Sequence, residues 1–279
     1  MRAFEYGGVR FTHWAENRFR LDGGAMFGVV PRVLWERVYP PDHKNRITLS
    51  TNLLIAQAPG FTALVDTGVG NKISEKNRGV YAVEAPGMPA GFPLPVDDVE
   101  IVVLTHLHFD HCGGSTVETA AGSGDYAPTF PRARYFVQRA EYQDATDPSE
   151  RSRASYWEEN FVPLFKQNRL TLLDGDGAVN PGIRVLVTGG HTRGHQIVAF
   201  ETSEGVVAFM ADFIPTTRHI PIPYIMAYDL YPVDSLKARK RLYPMMADER
   251  WLLVFEHDDE AKQGFLERES EDRYRFVAF

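Results

Sequence analysis

An α/β fold of strand layers covered by helices is predicted by three observations. Short apolar runs bounded by turn residues recur along the chain, helical patterns lie between some of them, and no change of composition marks a linker. The runs at 47–56, 61–65, 101–104, 135–137, 183–187, 197–200, 206–210, 251–255 and 274–279 read as buried strands. The patterns at 149–161 and 234–246 read as helices, the second with Asp234 or Ser235 as N-cap and Pro244 near its end. Residues 85–95 hold Pro86, Pro89, Pro93 and Pro95 with two glycines and are expected to form an irregular loop. A second loop is expected at 121–131, where small residues dominate. Strands of comparable character flank both loops, so residues 1–279 are expected to form one domain.

Composition narrows the function classes. The chain has 279 residues, 44% hydrophobic and 24% charged, which excludes general disorder. Its 30 basic and 37 acidic residues leave a net charge of −7, and no Lys/Arg run of five exists. Nucleic acid and anionic membrane are therefore not the expected partners. Cys112 is the only cysteine, so no intrachain disulfide forms. No apolar run approaches eighteen residues, and the opening Met1-Arg2-Ala3-Phe4-Glu5-Tyr6 lacks a secretion-signal pattern. A cytoplasmic location is expected.

The chemistry concentrates in Thr105-His106-Leu107-His108-Phe109-Asp110-His111. The apolar run before it places this H-x-H-x-D-H sequence at the C-terminal end of a core strand, where layered α/β folds position ligands. Imidazoles and carboxylates are good ligands for zinc-like ions, and four in one turn exceed what packing requires. A single histidine there would read as a polar loop residue; the cluster reads as a metal site. Three more apolar runs end in the same way: 185–187 leads to Thr188-Gly189-Gly190-His191-Thr192-Arg193-Gly194-His195, 206–210 to Ala211-Asp212, and 251–255 to Glu256-His257-Asp258. Four such endings point to a dinuclear site.

These motifs, with Leu64-Val65-Asp66-Thr67-Gly68, resemble the metallo-β-lactamase superfamily over nearly the whole chain. The resemblance implies a four-layer αβ/βα sandwich with the metal site at one edge of two sheets. By motif position it implies that His106, His108 and His191 hold one metal, that Asp110, His111 and His257 hold a second, and that Asp212 bridges both. Two divalent ions are expected, zinc first, with iron, cobalt or manganese as alternatives. Asp22-Gly23-Gly24-Ala25-Met26-Phe27-Gly28-Val29-Val30-Pro31 and the 188–195 sequence look like the quorum-quenching N-acyl-homoserine lactonase branch, with methyl-parathion-hydrolase-like enzymes as near relatives. The implied reaction opens a lactone with a metal-bridging hydroxide, Asp110 or Asp212 passing the proton to the leaving oxygen. A homodimer acting on a small lactone or ester is implied as well.

One position departs from that branch: a tyrosine is expected three residues after the bridging aspartate, and Pro215 stands there. Tyr228 is the favoured substitute, ahead of Tyr224, which follows Pro223 and reads as packing. The apolar segments 26–35 and 224–228 are candidate pocket walls, the first also a candidate dimer contact or plain core. Asp66 is either a support for a ligand histidine or a turn cap. His195 is expected to brace the His191 loop. His219 reads as pocket-lining or exposed, His13 and His43 as ordinary, and Cys112 as a small buried residue.

Rival functions share parts of this pattern. A phosphotriester or aryl ester is compatible with the same site. Diiron redox chemistry is disfavoured because no flavin domain follows and two ligands would differ. A non-catalytic binding protein has no need of a complete ligand set, and a nuclease would need a basic region.

Overall fold

The computed structural model describes residues 1–84, 87–260 and 262–279. Two seven-stranded sheets pack face to face. In the first, β1 (Arg2–Tyr6), β2 (Val9–Asp22), β3 (Arg46–Ala58) and β4 (Phe61–Val65) are antiparallel, and β5 (Ile101–Val103), β8 (Arg134–Gln138) and β9 (Leu170–Leu173) continue in parallel. The second runs β10 (Gly177–Asn180), β11 (Ile183–Val187), β12 (Gln196–Thr202), β13 (Gly205–Phe209), β14 (Leu252–Val254), β15 (Gln263–Ser270) and β16 (Arg273–Ala278). There only β13 and β14 pair in parallel. A small ribbon joins β6 (Thr116–Glu118) to β7 (Tyr126–Pro128).

Alternation along the strands sorts side chains between layers. Leu54, Ala56, Val65 and Val103 meet Val198, Phe200, Phe209 and Val254 between the sheets. The alternate residues Leu53, Ile55, Leu64 and Val102 pack outward under α5 (Arg139–Thr146) and α6 (Val162–Lys166). Ile197, Ala199, Ala208 and Leu253 pack under α7 (Pro232–Asp248) on the far side. This is the helix–sheet–sheet–helix layering expected from the sequence. Four short helices sit in the connections: α1 (Gly23–Phe27), α2 (Arg32–Trp35), α3 (Glu75–Tyr81) and α4 (Phe109–Cys112).

The sequence expectations fail where polar residues or long-range partners decide. The 14-residue β2 goes unseen because Arg10, Thr12, Glu16, Arg18 and Arg20 break its apolar run, and a bulge between Ala15 and Asn17 shifts its register. No continuous helix spans 149–161. Two 3₁₀ turns, Arg153–Ser155 and Glu158–Asn160, flank extended backbone at Tyr156 and Trp157. Those adjacent rings must face different partners, Tyr156 the core beneath α5 and Trp157 the ring of Phe109, 4.7 Å away. Extended backbone points neighbours apart, as a helix does not. The last helix starts at Pro232, not at Asp234 or Ser235; proline suits a first turn, whose N–H groups have no intrahelical acceptor. Pro244 lies inside it, one turn before the end. Of the expected 85–95 loop, Gly87–Pro95 is irregular, while Ala85 and Pro86 lie outside the described residues. The 121–131 loop contains β7.

Candidate metal centre

Strand ends from both sheets converge at one edge of the sandwich. His106 and His108 follow β5, and His108 precedes α4, which carries Asp110 and His111 in a single turn. His191 follows β11, Asp212 occupies a 3₁₀ turn after β13, and His257 follows β14. Ala211 adopts a positive φ of 42°, a strained turn that redirects the chain as it leaves β13. All seven side chains are buried. Ligand atoms of His106, His108, His191 and Asp212 lie within 4.8 Å of one another, as do those of Asp110, His111 and His257. Asp212 touches both groups: Oδ2 lies 3.0 Å from His191 Nε2 and 3.6 Å from His111 Nε2, and Oδ1 lies 3.1 Å from His257 Nε2.

Hydrogen bonds behind the rings set which nitrogen faces inward. His257 Nδ1 donates to the Ser50 carbonyl at 2.8 Å, and His191 Nδ1 to Asp229 Oδ1 at 3.1 Å. Thr105 Oγ1 donates to Asp66 Oδ2, so it accepts from His106 Nδ1 at 3.2 Å. His111 Nδ1 lies 3.0 Å from both Asp66 Oδ2 and Glu256 Oε2. Each of these four rings therefore turns Nε2 toward the interior of the site, where it offers a lone pair to a cation once any proton is displaced. The His111 and His257 Nε2 atoms stand 3.2 Å apart. His106 Nε2 and Asp212 Oδ1 have no hydrogen-bond partner despite burial, and His108 turns Nδ1 to within 3.1 Å of His191 Nε2. Ring nitrogens crowded against one another and orphaned polar atoms around a carboxylate are a poor apo arrangement and a good cation cage.

The proton affinities carry the same charge demand. Burial opposes charge on His191 and His257, but Asp212 outweighs it and raises them to about 10 and about 9. Burial alone would raise Asp212; His191, His257 and His111 instead hold it well below the usual carboxylate range. Burial raises Glu256 to about 8, against the pull of His111.

The metallo-β-lactamase superfamily model matches residues 47–257, from β3 to the His257 ligand position. The chain belongs to this superfamily. It is 29% identical over 196 residues to "N-acyl homoserine lactonase AiiA" of Bacillus thuringiensis subsp. kurstaki, spanning 69% of this chain and 67% of that one. Its structure superposes with a TM-score of 0.88, at 29% identity, on a probable metal-dependent hydrolase from Staphylococcus aureus, covering 98% of this chain and 99% of the other. AidC, a dizinc quorum-quenching lactonase, shares the fold with a TM-score of 0.78 at 17% identity, over 100% and 97% of the two chains. The protein is thus a hydrolase of the metallo-β-lactamase superfamily, with His and Asp groups that could hold metal ions.

In this superfamily member the site opens into a cavity of about 400 Å³. Leu21, Met26, Phe109, Met226 and Leu230 give it an apolar wall, and Asp110, Asp212 and His257 form its floor. Tyr228 lines it with part of its ring exposed, and partial burial raises the phenol above its usual range, aided by Asp22, Tyr81, Asp110 and Asp212. Tyr224 does not reach it; its ring packs edge-on against Phe27 at 6.3 Å. Of the 26–35 segment only Met26 lines the cavity. Phe27, Val30 and Trp35 are core, and Val29, Val33 and Leu34 are exposed.

The remaining candidates fall into place individually. Asp66 accepts from the Thr105 N–H and hydroxyl as well as facing His111, so it supports a ligand. His195 is buried beneath the site, its Nδ1 2.6 Å from Thr188 Oγ1, and its ring lies 5.8 Å from that of His191. His219 is neither exposed nor cavity-lining. Its Nε2 donates to the Met26 carbonyl and its ring stacks on Phe27 at 4.5 Å, tying the 3₁₀ turn Thr217–His219 to α1. His13 is wholly buried between the sheets, whereas His43 is exposed. Cys112 is buried, its Sγ donating to the Leu107 carbonyl.

Sequence reasoning missed Glu256, Asp229, Glu141 and Tyr81. Glu256 stands beside a ligand in a strand end already singled out, and that adjacency was the available signal. Asp229 lies 38 residues from its histidine, and only the fold brings them together.

Proposed function

We propose that the protein opens N-acyl-homoserine lactones, with two zinc ions held by His106, His108, His191, Asp212 and by Asp110, His111, His257. The observation that carries this is the two-cluster cage sharing Asp212 at the floor of an apolar cavity with Tyr228 on its wall. The lactonase names of relatives near 29% identity support the substrate class. The orphaned His106 Nε2 and Asp212 Oδ1 atoms, with His108 Nδ1 turned toward His191 Nε2, fit a bound cation pair.

When bound, divalent ions at these residues supply Lewis acidity for the ester carbonyl and bring the pKa of a water toward neutrality. The protein's own groups do the rest. Asp110 and Asp212 both reach the cavity, and one of the two carboxylates accepts the proton of the attacking water and returns it to the ring oxygen as the ester C–O bond breaks. Tyr228, kept protonated by its surroundings, donates to the oxyanion that forms at the carbonyl. Leu21, Met26, Met226 and Leu230 bury the acyl chain and exclude water around it.

Elemental analysis of gently purified protein should give about two metals per chain; less than one, not restored by added metal, overturns the cage assignment. Across homoserine lactones of increasing acyl length, kcat/KM should climb by up to about fourfold per methylene, since each buried one contributes up to about 0.8 kcal/mol. A flat series, or a preference for phosphotriesters or aryl esters, moves the substrate to the rival class and leaves the cage intact.

A further inference from the structure

Behind the His106–His108–His191 half of the cage lies a buried carboxylate that is not one of its ligands. Glu141, in the first turn of α5, has no exposed surface. Its Oε1 accepts the backbone N–H of Leu107 at 3.0 Å and the phenol of Tyr156 at 3.1 Å. Its Oε2 accepts the hydroxyl of Thr192. Leu107 separates His106 from His108, and Thr192 follows His191. One side chain therefore grips the backbone between two candidate ligands from the first half of the chain and the residue beside the third from the second half. Tyr156 extends the grip, since its ring packs on that of His108 with centroids 4.8 Å apart.

The surroundings show that the contact is built. A Cβ at Gly194 would lie 2.4 Å from the Glu141 backbone nitrogen, so the 188–195 loop can approach α5 this closely only with glycine there. Arg193 pairs with Asp144 one turn along the same helix. Beneath it, Gln138 Nε2 donates to Gln196 Oε1 at 2.7 Å, and Gln196 Nε2 to the Leu104 carbonyl at 2.8 Å, joining the same two segments a second time. Every donor that meets Glu141 is an N–H or O–H aimed at an acceptor, the arrangement a carboxylate satisfies best.

From this geometry we infer that Glu141 is a positioning residue for the His106–His108–His191 half of the cage, setting the spacing of its two loops and hence the affinity of that half for metal. The inference rests on the dinuclear reading above. It predicts an asymmetry, because the contacts of Glu141 fall on Leu107 and Thr192, which adjoin His106, His108 and His191, and none falls on Asp110, His111 or His257.

Cobalt(II) titration of the metal-free full-length chain, followed by its d–d absorption, tests this. Wild type should fill two sites; if it does not, the dinuclear reading fails and Glu141 is not at issue. His108→Ala and His257→Ala identify the phase belonging to each half. Glu141→Ala should weaken the His108-dependent phase about tenfold or more, the range expected when support behind ligands is lost, and leave the His257-dependent phase within about threefold. Glu141→Gln keeps an acceptor for the Leu107 N–H and should restore the affected phase to within about threefold of wild type. Equal weakening of both phases, no weakening, or a Gln variant as weak as Ala overturns the proposal. So does a loss of affinity matched by an equal fall in stability of the metal-free protein. Should Glu141→Ala not fold, Thr192→Val removes one contact of the same grip and is judged by the same asymmetry.

Discussion

Asp212 is the residue on which both ligand clusters depend, with one oxygen facing His191 and His111 and the other His257. Asp212→Ala should lower turnover by at least about a hundredfold, since water activation needs both halves of the cage. The matching control is His43→Ala, an exposed histidine whose loss should leave turnover within about twofold. His13 cannot serve, because removing a wholly buried ring leaves a cavity and costs stability for reasons unrelated to the site. Comparable losses in the two variants would refute the bridging role. Tyr228 raises a separate question, because Pro215 occupies the position where related lactonases are expected to carry tyrosine. Tyr228→Phe should reduce turnover between a few-fold and about a hundredfold with metal content unchanged. Wild-type turnover in that variant would show that the phenol only lines the cavity.

Among the elements, the loop after β11 works under the tightest constraint. Gly190 has a φ of 80°, and a Cβ there would sit 2.2 Å from Ser235 Oγ and 2.7 Å from the Ser235 backbone nitrogen, at the start of α7. The same approach lets Tyr231 N–H bond the Gly190 carbonyl and brings Asp229 to His191. Gly190→Ala should therefore push the His191 loop off the helix. Gly8 has a φ of 82°, and a Cβ there would meet no atom within 4 Å, so it isolates the backbone contribution alone. Urea unfolding should show a loss of about 1–2 kcal/mol for Gly8→Ala and a larger one for Gly190→Ala, with turnover falling only in the latter. Equal effects on both measures would mean that the loop and helix yield without consequence for the site.

At the scale of the whole molecule, two histidines outside the cage make the fold acid-sensitive. Burial holds both His13 and His219 near a pKa of about 3, against an ordinary 6.5. Between those values the unfolded chain binds a proton that the folded one refuses, so stability rises with pH through that window and falls on acidification below 6.5. For His13 the loss from pH 7 to pH 5 is about 2 kcal/mol. Denaturant midpoints measured at both pH values should show that His13→Leu shrinks the acid loss by about that amount. An unchanged slope would mean that His13 does not titrate alone in the core.

Much of the architecture was legible because periodicity is local. Each of the nine expected apolar runs coincides with a strand to within a residue at either end or lies inside one. The seven candidate ligands were readable because each follows such a run directly or within a turn of it. What stayed hidden depends on partners distant in sequence. The polar β2 is a strand because β1 and β3 flank it, and the 149–161 segment abandons helix because Tyr156 and Trp157 serve different neighbours. Glu141, Asp229 and Glu256 gain their roles only when folding buries each beside a loop or ring it does not adjoin in the chain, or faces from a neighbouring strand end. A carboxylate's local sequence carries no record of which donors will converge on it. Residue types, strand period and motif resemblance determined the fold class and the candidate metal-binding side chains; the tertiary structure alone decided which ring nitrogens face inward, the spacing of these side chains and the shape of the cavity above them, because those depend on burial and contacts between segments far apart in the chain.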